Sequence, residues 1–106
     1  MSRLATTDHP IHKILAHRRS PCGFAETPVS PEDLKSLFEA ARWAASSYNE
    51  QPWRYIIATR DDAEAFDKLL SCLVDANQVW ARFAPVLALG IAKRTFSHDG
   101  AQNRVA

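Results

Sequence analysis

The chain has 106 residues, 46% hydrophobic and 24% charged, with 13 Lys and Arg against 12 Asp and Glu. That length limits it to one small domain, and a net charge of +1 excludes a broad electrostatic footprint for nucleic acid. No apolar run is long enough to span a bilayer and the opening MSRLATTDHP has no signal-peptide core, so the reading is a cytoplasmic protein without membrane partners.

The two cysteines, Cys22 and Cys72, lack a C-x-x-C spacing and do not make a disulfide framework. Of the four histidines, His9 and His12 stand three apart and could share a helical face. No third ligand follows at useful spacing, so no metal site is expected.

In chain order, PIHKILAHRR (10–19) predicts a helix, with Ile11, Ile14 and Leu15 at helical spacing and Pro10 in the first turn, capped by Asp8 or His9. Ser20-Pro21 ends it, because the residue before proline is pushed out of the helical region. GFAETPV is a connector. The next helix carries the fullest set of signals. Ser30 is an N-cap, Pro31 fits the first turn, and Glu32 and Asp33 complement the positive end of the dipole. Val29 and Leu34 form a hydrophobic staple, and Leu34, Leu37, Phe38 and Ala41 share one face.

After a polar junction, RYIIAT predicts a strand and DDAEAFDKLLSCLV a helix; DANQVWARFA continues that helix or restarts it. PVLALGIA (85–92) reads as a buried strand with Gly90 as a weak point, and the tail turns at Asp99-Gly100. Two strands do not make an independently stable sheet with both faces covered, so this order implies more chain, a second subunit, or both.

Two stretches carry candidate chemistry. In HRRSPC, Arg18 and Arg19 would point about 100° apart on a continuing helix, and converge on one anion only where the backbone has left it. An Arg fork with the Ser20 hydroxyl suits a phosphate; the plainer reading of this stretch alone is basic residues closing a last helical turn. In ASSYNEQPW (45–53), Ser46, Ser47 and Asn49 supply donors and acceptors beside a large aromatic. They could satisfy helix-terminal carbonyls or line a heteroatom-rich planar ring, and composition alone does not choose.

RRSPCGF, PVSPEDLKSLFEAARWA, SSYNEQPWRY and NQVWARFAPVLALGIAK, in that order and spacing, resemble the N-terminal half of the nitroreductase family of flavin enzymes. The resemblance runs from about Pro10 to the last residue. It implies an α+β fold with helices around a central antiparallel sheet, present here as its N-terminal half in a single domain over residues 1–106. It further implies a homodimer with FMN at the interface. Arg18, Arg19 and Ser20 would hold the phosphate and ribityl chain. Ser46, Ser47 and Asn49 would reach the flavin bound mainly by the other subunit, and Asn77 would contact the flavin or its pocket. Gln51, Pro52 and Trp53 would brace the loop. The implied reaction passes hydride from NAD(P)H, NADH or NADPH, to a nitroaromatic, quinone or similar acceptor, and needs no catalytic side chain because the cofactor carries the chemistry.

Two positions depart from the family pattern. Cys22 stands where an Arg or Lys is usual, and Ala45 where a proline commonly precedes the serines. Family members run to about twice this length, an ordinary domain size. NRVA would then fall in an early turn of a following helix. The rival reading is a truncated or degenerate flavin-fold domain without catalytic activity, acting in dimerisation or binding only.

Overall fold

Two antiparallel strands and the helices that join them carry most of the packing. The computed structural model describes residues 4–104, so the expectation about the final Val105 and Ala106 lies outside the described residues. The elements are α1 (Lys13–His17), α2 (Pro31–Arg42), a 3-10 turn (Ser47–Asn49), β1 (Trp53–Thr59), α3 (Ala63–Ser71), α4 (Asp75–Ala81) and β2 (Val86–Ala92). The architecture is α+β, with helices around a small antiparallel sheet.

β1 and β2 pair in register from Trp53 opposite Ala92 to Thr59 opposite Val86. The ladder extends by one bond, as the Lys93 amide donates to the Pro52 carbonyl at 2.9 Å. Between the strands, Asp62 caps α3 by accepting from the Ala65 amide at 3.2 Å. The following helix restarts rather than continues: Val74 is extended (φ −63°, ψ 151°), and Gln78 Nε2 donates to the freed Leu73 carbonyl at 2.8 Å. Arg60 fastens the end of β1 to the approach of β2, donating from Nε to the Ala84 carbonyl (3.1 Å) and from Nη2 to the Arg82 carbonyl (2.9 Å). Among the described residues the buried core side chains are Ala58, Phe66, Ala81 and Ala84, with Pro52 also buried, all on or beside these elements.

α2 follows its sequence signals closely. The Ser30 hydroxyl accepts from the Asp33 amide at 3.1 Å, with Pro31 at the first helical position and Glu32 and Asp33 in the first turn. None of its residues is buried. Neither α1 nor α2 brings its backbone within 8 Å of another helix or strand. The attachment of α2 runs through Phe38, whose ring meets Tyr55 of β1 at 5.2 Å between centroids.

Two expectations are corrected. The first helix starts at Lys13, not Pro10, and its cap is His12, whose Nδ1 accepts from the Ile14 amide at 3.2 Å. The strand over 85–92 forms from Val86, but it is not buried: Val86 and Leu87 are half-covered and Ala88 to Ala92 are exposed. The cause is the thinness of the assembly, since a two-stranded sheet has too few layers to enclose an apolar strand. The radius of gyration is 17.0 Å, against about 13 Å for a close-packed chain of this size. Ile14, Leu15, Leu37, Trp43, Val79 and Phe83 are among the large apolar side chains left exposed.

Candidate functional site

The two candidate clusters occupy loops, and each loop has its own local geometry. α1 stops before the arginines. Arg18 is its C-cap in an extended conformation (φ −61°, ψ 135°), so the backbone has left the helix where the paired guanidinium groups begin. Arg18 Nη1 donates to Ser20 Oγ at 3.1 Å, which gathers a guanidinium and a hydroxyl on one short exposed segment. Arg19 and Cys22 are exposed, and the Cys22 thiol is free.

The second cluster sits in an unusual loop. Tyr48, Asn49 and Gln51 have φ of 53°, 51° and 48°, the left-handed region that costs a non-glycine residue about 1 kcal/mol or more. Asn tolerates it; Tyr and Gln have no such preference. Ser46 closes the loop, its hydroxyl accepting from the Gln51 amide at 2.8 Å. Ser47 and Asn49 are exposed, and among the described residues neither the Ser47 hydroxyl nor the Asn49 carboxamide has a hydrogen-bond partner. Ser46 therefore serves the loop, while Ser47 and Asn49 keep side-chain donors and acceptors available for a ligand. Pro52 is buried, and its carbonyl joins the sheet.

A connection that sequence reasoning missed holds this loop in place. The Glu50 side chain is only 9% exposed. Its Oε1 accepts from the Ser97 amide (2.9 Å) and hydroxyl (2.6 Å), and Lys93 Nζ lies 3.5 Å away. Lys93 also donates to Ser97 Oγ at 2.7 Å. The Ser97 hydroxyl foremost, then its amide and Lys93, hold the Glu50 carboxyl below its ordinary value against the opposing effect of partial burial. Beside it, the Tyr48 ring meets His98 (4.9 Å between centroids) and Phe96 edge-on (5.7 Å, 75°). The only sequence signal was the turn at Asp99-Gly100, where Gly100 adopts φ 70°.

Asn77 is exposed on α4, three residues before Trp80 and thus on a neighbouring part of the helix surface. Phe24, two residues past Cys22, stacks on Trp80 with centroids 6.2 Å apart. The structure thus brings Phe24, two residues past Cys22, to the helix that bears Asn77. No hydrogen bond, ion pair or ring contact joins the Arg18–Cys22 segment or Asn77 to Ser46, Ser47 or Asn49 among the described residues. A cleft of about 360 Å³ opens between α2 and β1, lined by Phe38, Arg42, Trp53 and Tyr55 among others, and none of the eight candidate residues borders it. No helix of the described residues is long and apolar enough to cross a membrane, and no group of three His, Cys, Asp or Glu among them is arranged to hold a metal ion.

The donor set suits FMN. The Arg18 guanidinium gathered with the Ser20 hydroxyl suits a phosphate, and the hydroxyl and carboxamide groups of Ser47 and Asn49 suit the edge of a flavin ring.

Several known proteins are similar to this chain in sequence and fold. A nitrobenzene nitroreductase of Ectopseudomonas oleovorans is 38% identical over 66 residues, which are 62% of this chain and 28% of that protein. The major NAD(P)H-flavin oxidoreductase of Aliivibrio fischeri is 42% identical over 57 residues, 53% of this chain and 26% of that one. A crystal structure of an oxidoreductase containing FMN superposes with a TM-score of 0.80 at 35% identity, covering 90% of this chain and 48% of the other. The chain therefore spans less than half of each of these three proteins. The model of the nitroreductase family matches residues 15–101, which takes in all eight candidate positions. The chain belongs to the nitroreductase family.

Proposed function

We propose that the protein is an FMN-dependent oxidoreductase that passes hydride from NAD(P)H to a nitroaromatic, quinone or similar acceptor, working as a homodimer. The observation that carries this reading is the TM-score of 0.80 to an FMN-containing oxidoreductase at 35% identity over 90% of the chain. When bound, FMN supplies the hydride-accepting and hydride-donating chemistry.

The chain's own residues bind and orient. Arg18, Arg19 and Ser20 hold the phosphate and ribityl chain through charge-assisted hydrogen bonds. Ser47 and Asn49 present the hydroxyl and carboxamide to a ring held mainly by the partner subunit, while Ser46 keeps their loop closed. That division fits the lack of any contact between the two clusters within one chain. Asn77 adds a polar group beside the Arg18–Cys22 segment. Cys22 is a neutral neighbour of the cofactor at a position where the family usually has a cation.

The test is to purify the chain, titrate it with FMN, and follow absorbance bands near about 370 and 450 nm that belong to a bound flavin. NADH and NADPH oxidation is then measured with and without a nitroaromatic or quinone. Flavin-dependent turnover in a dimer is expected. Colourless protein that ignores added FMN while remaining folded would sink the reading, and favour the domain that dimerises without catalysis. The extent of exposed apolar surface on this half of the fold is the observation on that side.

A further inference from the structure

Residues 47–51 pose a physical problem. Three left-handed non-glycine residues fall within a four-residue span, and such a conformation persists only where the surroundings enforce it. Besides the Ser46 hydroxyl, which accepts from the Gln51 amide, the contacts that hold this loop come from a part of the chain 47 residues away. Residues 94–103 form a small hairpin: the Phe96 amide donates to the Ala101 carbonyl and the Gly100 amide to the Phe96 carbonyl (both 2.9 Å), Thr95 bridges to Gln102, and the Asn103 amide donates to the Arg94 carbonyl at 2.7 Å. The hairpin follows directly on β2, so the sheet fixes where its tip lies.

That tip meets the loop twice. Tyr48 lies against Phe96 and His98, but its side chain is 80% exposed, so those rings fix it weakly. Glu50 is different. It is the single right-handed residue among the left-handed ones (φ −63°, ψ −31°), and its nearly buried carboxylate is gripped by the Ser97 amide and hydroxyl, with Lys93 behind them. A carboxylate holding two short hydrogen bonds is the strongest fixed point on the loop.

We propose that Glu50 is a positioning residue for the cofactor site: by clasping Ser97 it locks the left-handed loop, and so holds Ser47 and Asn49 in the orientation that meets the flavin. The inference rests on the assignment of Ser47 and Asn49 to a flavin wall. Glu50 touches no cofactor. Its effect is preorganisation, since a loop already in its binding shape loses less freedom when the ring arrives.

The test compares the full 106-residue chain with Glu50→Ala, Glu50→Gln, Ser97→Ala and the Glu50→Ala/Ser97→Ala double variant. Two quantities are read: amide hydrogen exchange of residues 47–51 without flavin, with α3 as an internal reference for intact folding, and the FMN dissociation constant. Glu50→Ala should speed exchange in 47–51 and weaken FMN by about tenfold, as the loss of a charged hydrogen-bond pair implies, with α3 unchanged. Glu50→Gln keeps an acceptor for both Ser97 donors and should recover most of the affinity. The double variant should be no worse than Glu50→Ala, because both substitutions remove one interaction. If Glu50→Ala leaves exchange in 47–51 unchanged, or frees the loop without weakening FMN, the clasp has no positioning role. If the unsubstituted chain itself fails to bind FMN, the flavin assignment falls first and this inference with it.

Discussion

Phe24 lies nearly parallel to Trp80, 22° between ring planes and 6.2 Å between centroids, and this stack ties the chain just past Cys22 to α4. α1 makes no close backbone approach to another helix or strand, and this stack is the ring contact nearest in sequence to the arginine pair. Phe24→Ala should cost about 1–2 kcal/mol, the loss of a half-buried aromatic and its ring partner. Trypsin should cut after Arg18 and Arg19 faster than in the unsubstituted chain. Trp80→Phe, which keeps a ring, should cost less. Urea midpoints and a digestion time course check both. Equal cleavage rates would show that something else orders the segment.

α2 makes a sharper case of local control. It has twelve residues, none buried, and isolated helices of that length are marginal in water. Its stability therefore leans on the Ser30 cap and on the Phe38–Tyr55 contact. Ser30→Ala should cost about 1 kcal/mol and lower the far-ultraviolet helical signal before the sheet melts. Phe38→Ala should do the same by releasing the helix from β1. A single cooperative transition unchanged by both would mean that α2 is held by contacts beyond these.

The contrast between α2 and α1 shows what can be read from sequence. Ser30, Pro31, Glu32 and Asp33 each act within four residues, and the helix begins where they place it. α1 begins three residues later than Pro10 suggests, because His12 rather than Asp8 or His9 takes the cap. β2 forms where its apolar run lies, yet stays exposed. Composition states what a strand prefers to pack against, and cannot supply the layer that would cover it. The loop over residues 46–51 was legible as a polar junction with an aromatic close. Its left-handed backbone and its anchor were not, since the Glu50–Ser97 contact spans 47 residues with no periodic signal between them.

Acid should reveal that anchor. The Glu50 carboxyl lies below its ordinary value of 4.5, chiefly through the Ser97 hydroxyl. Glu39 also lies below 4.5, chiefly through the Trp43 indole N–H, which donates to it at 3.0 Å, with Arg42 adding to the effect. A carboxyl whose folded value is depressed binds its proton less readily in the folded state. The stabilisation is then complete above the unfolded value and is lost as pH falls through the folded one. The urea midpoint should stay level from neutrality to about pH 5 and fall below it. Glu50→Gln and Glu39→Gln should each flatten that acid limb. An unchanged limb in Glu50→Gln would mean that the Ser97 contact is not formed in solution.

The position of Cys22 gives the last prediction its sign. The thiol is exposed and free, four residues beyond Arg18 on the segment proposed to meet the cofactor. A cation at that place would sit near the edge of the flavin where negative charge gathers on reduction, and would favour the reduced form. Cys22→Arg should therefore tighten FMN binding by roughly five- to tenfold, the effect of about 1 kcal/mol from one added charge in a partly solvated site. It should also raise the midpoint potential by about 20–30 mV, the two-electron equivalent of that energy. Cys22→Ser, similar in size and uncharged, should move neither, which separates charge from the loss of sulfur. Dye-coupled potentiometry and an FMN titration on all three proteins read the two quantities independently. Should Cys22→Arg change neither, the segment lies farther from the ring than proposed, and the guanidinium pair at Arg18 and Arg19 must be reconsidered as a surface feature of a short helix end.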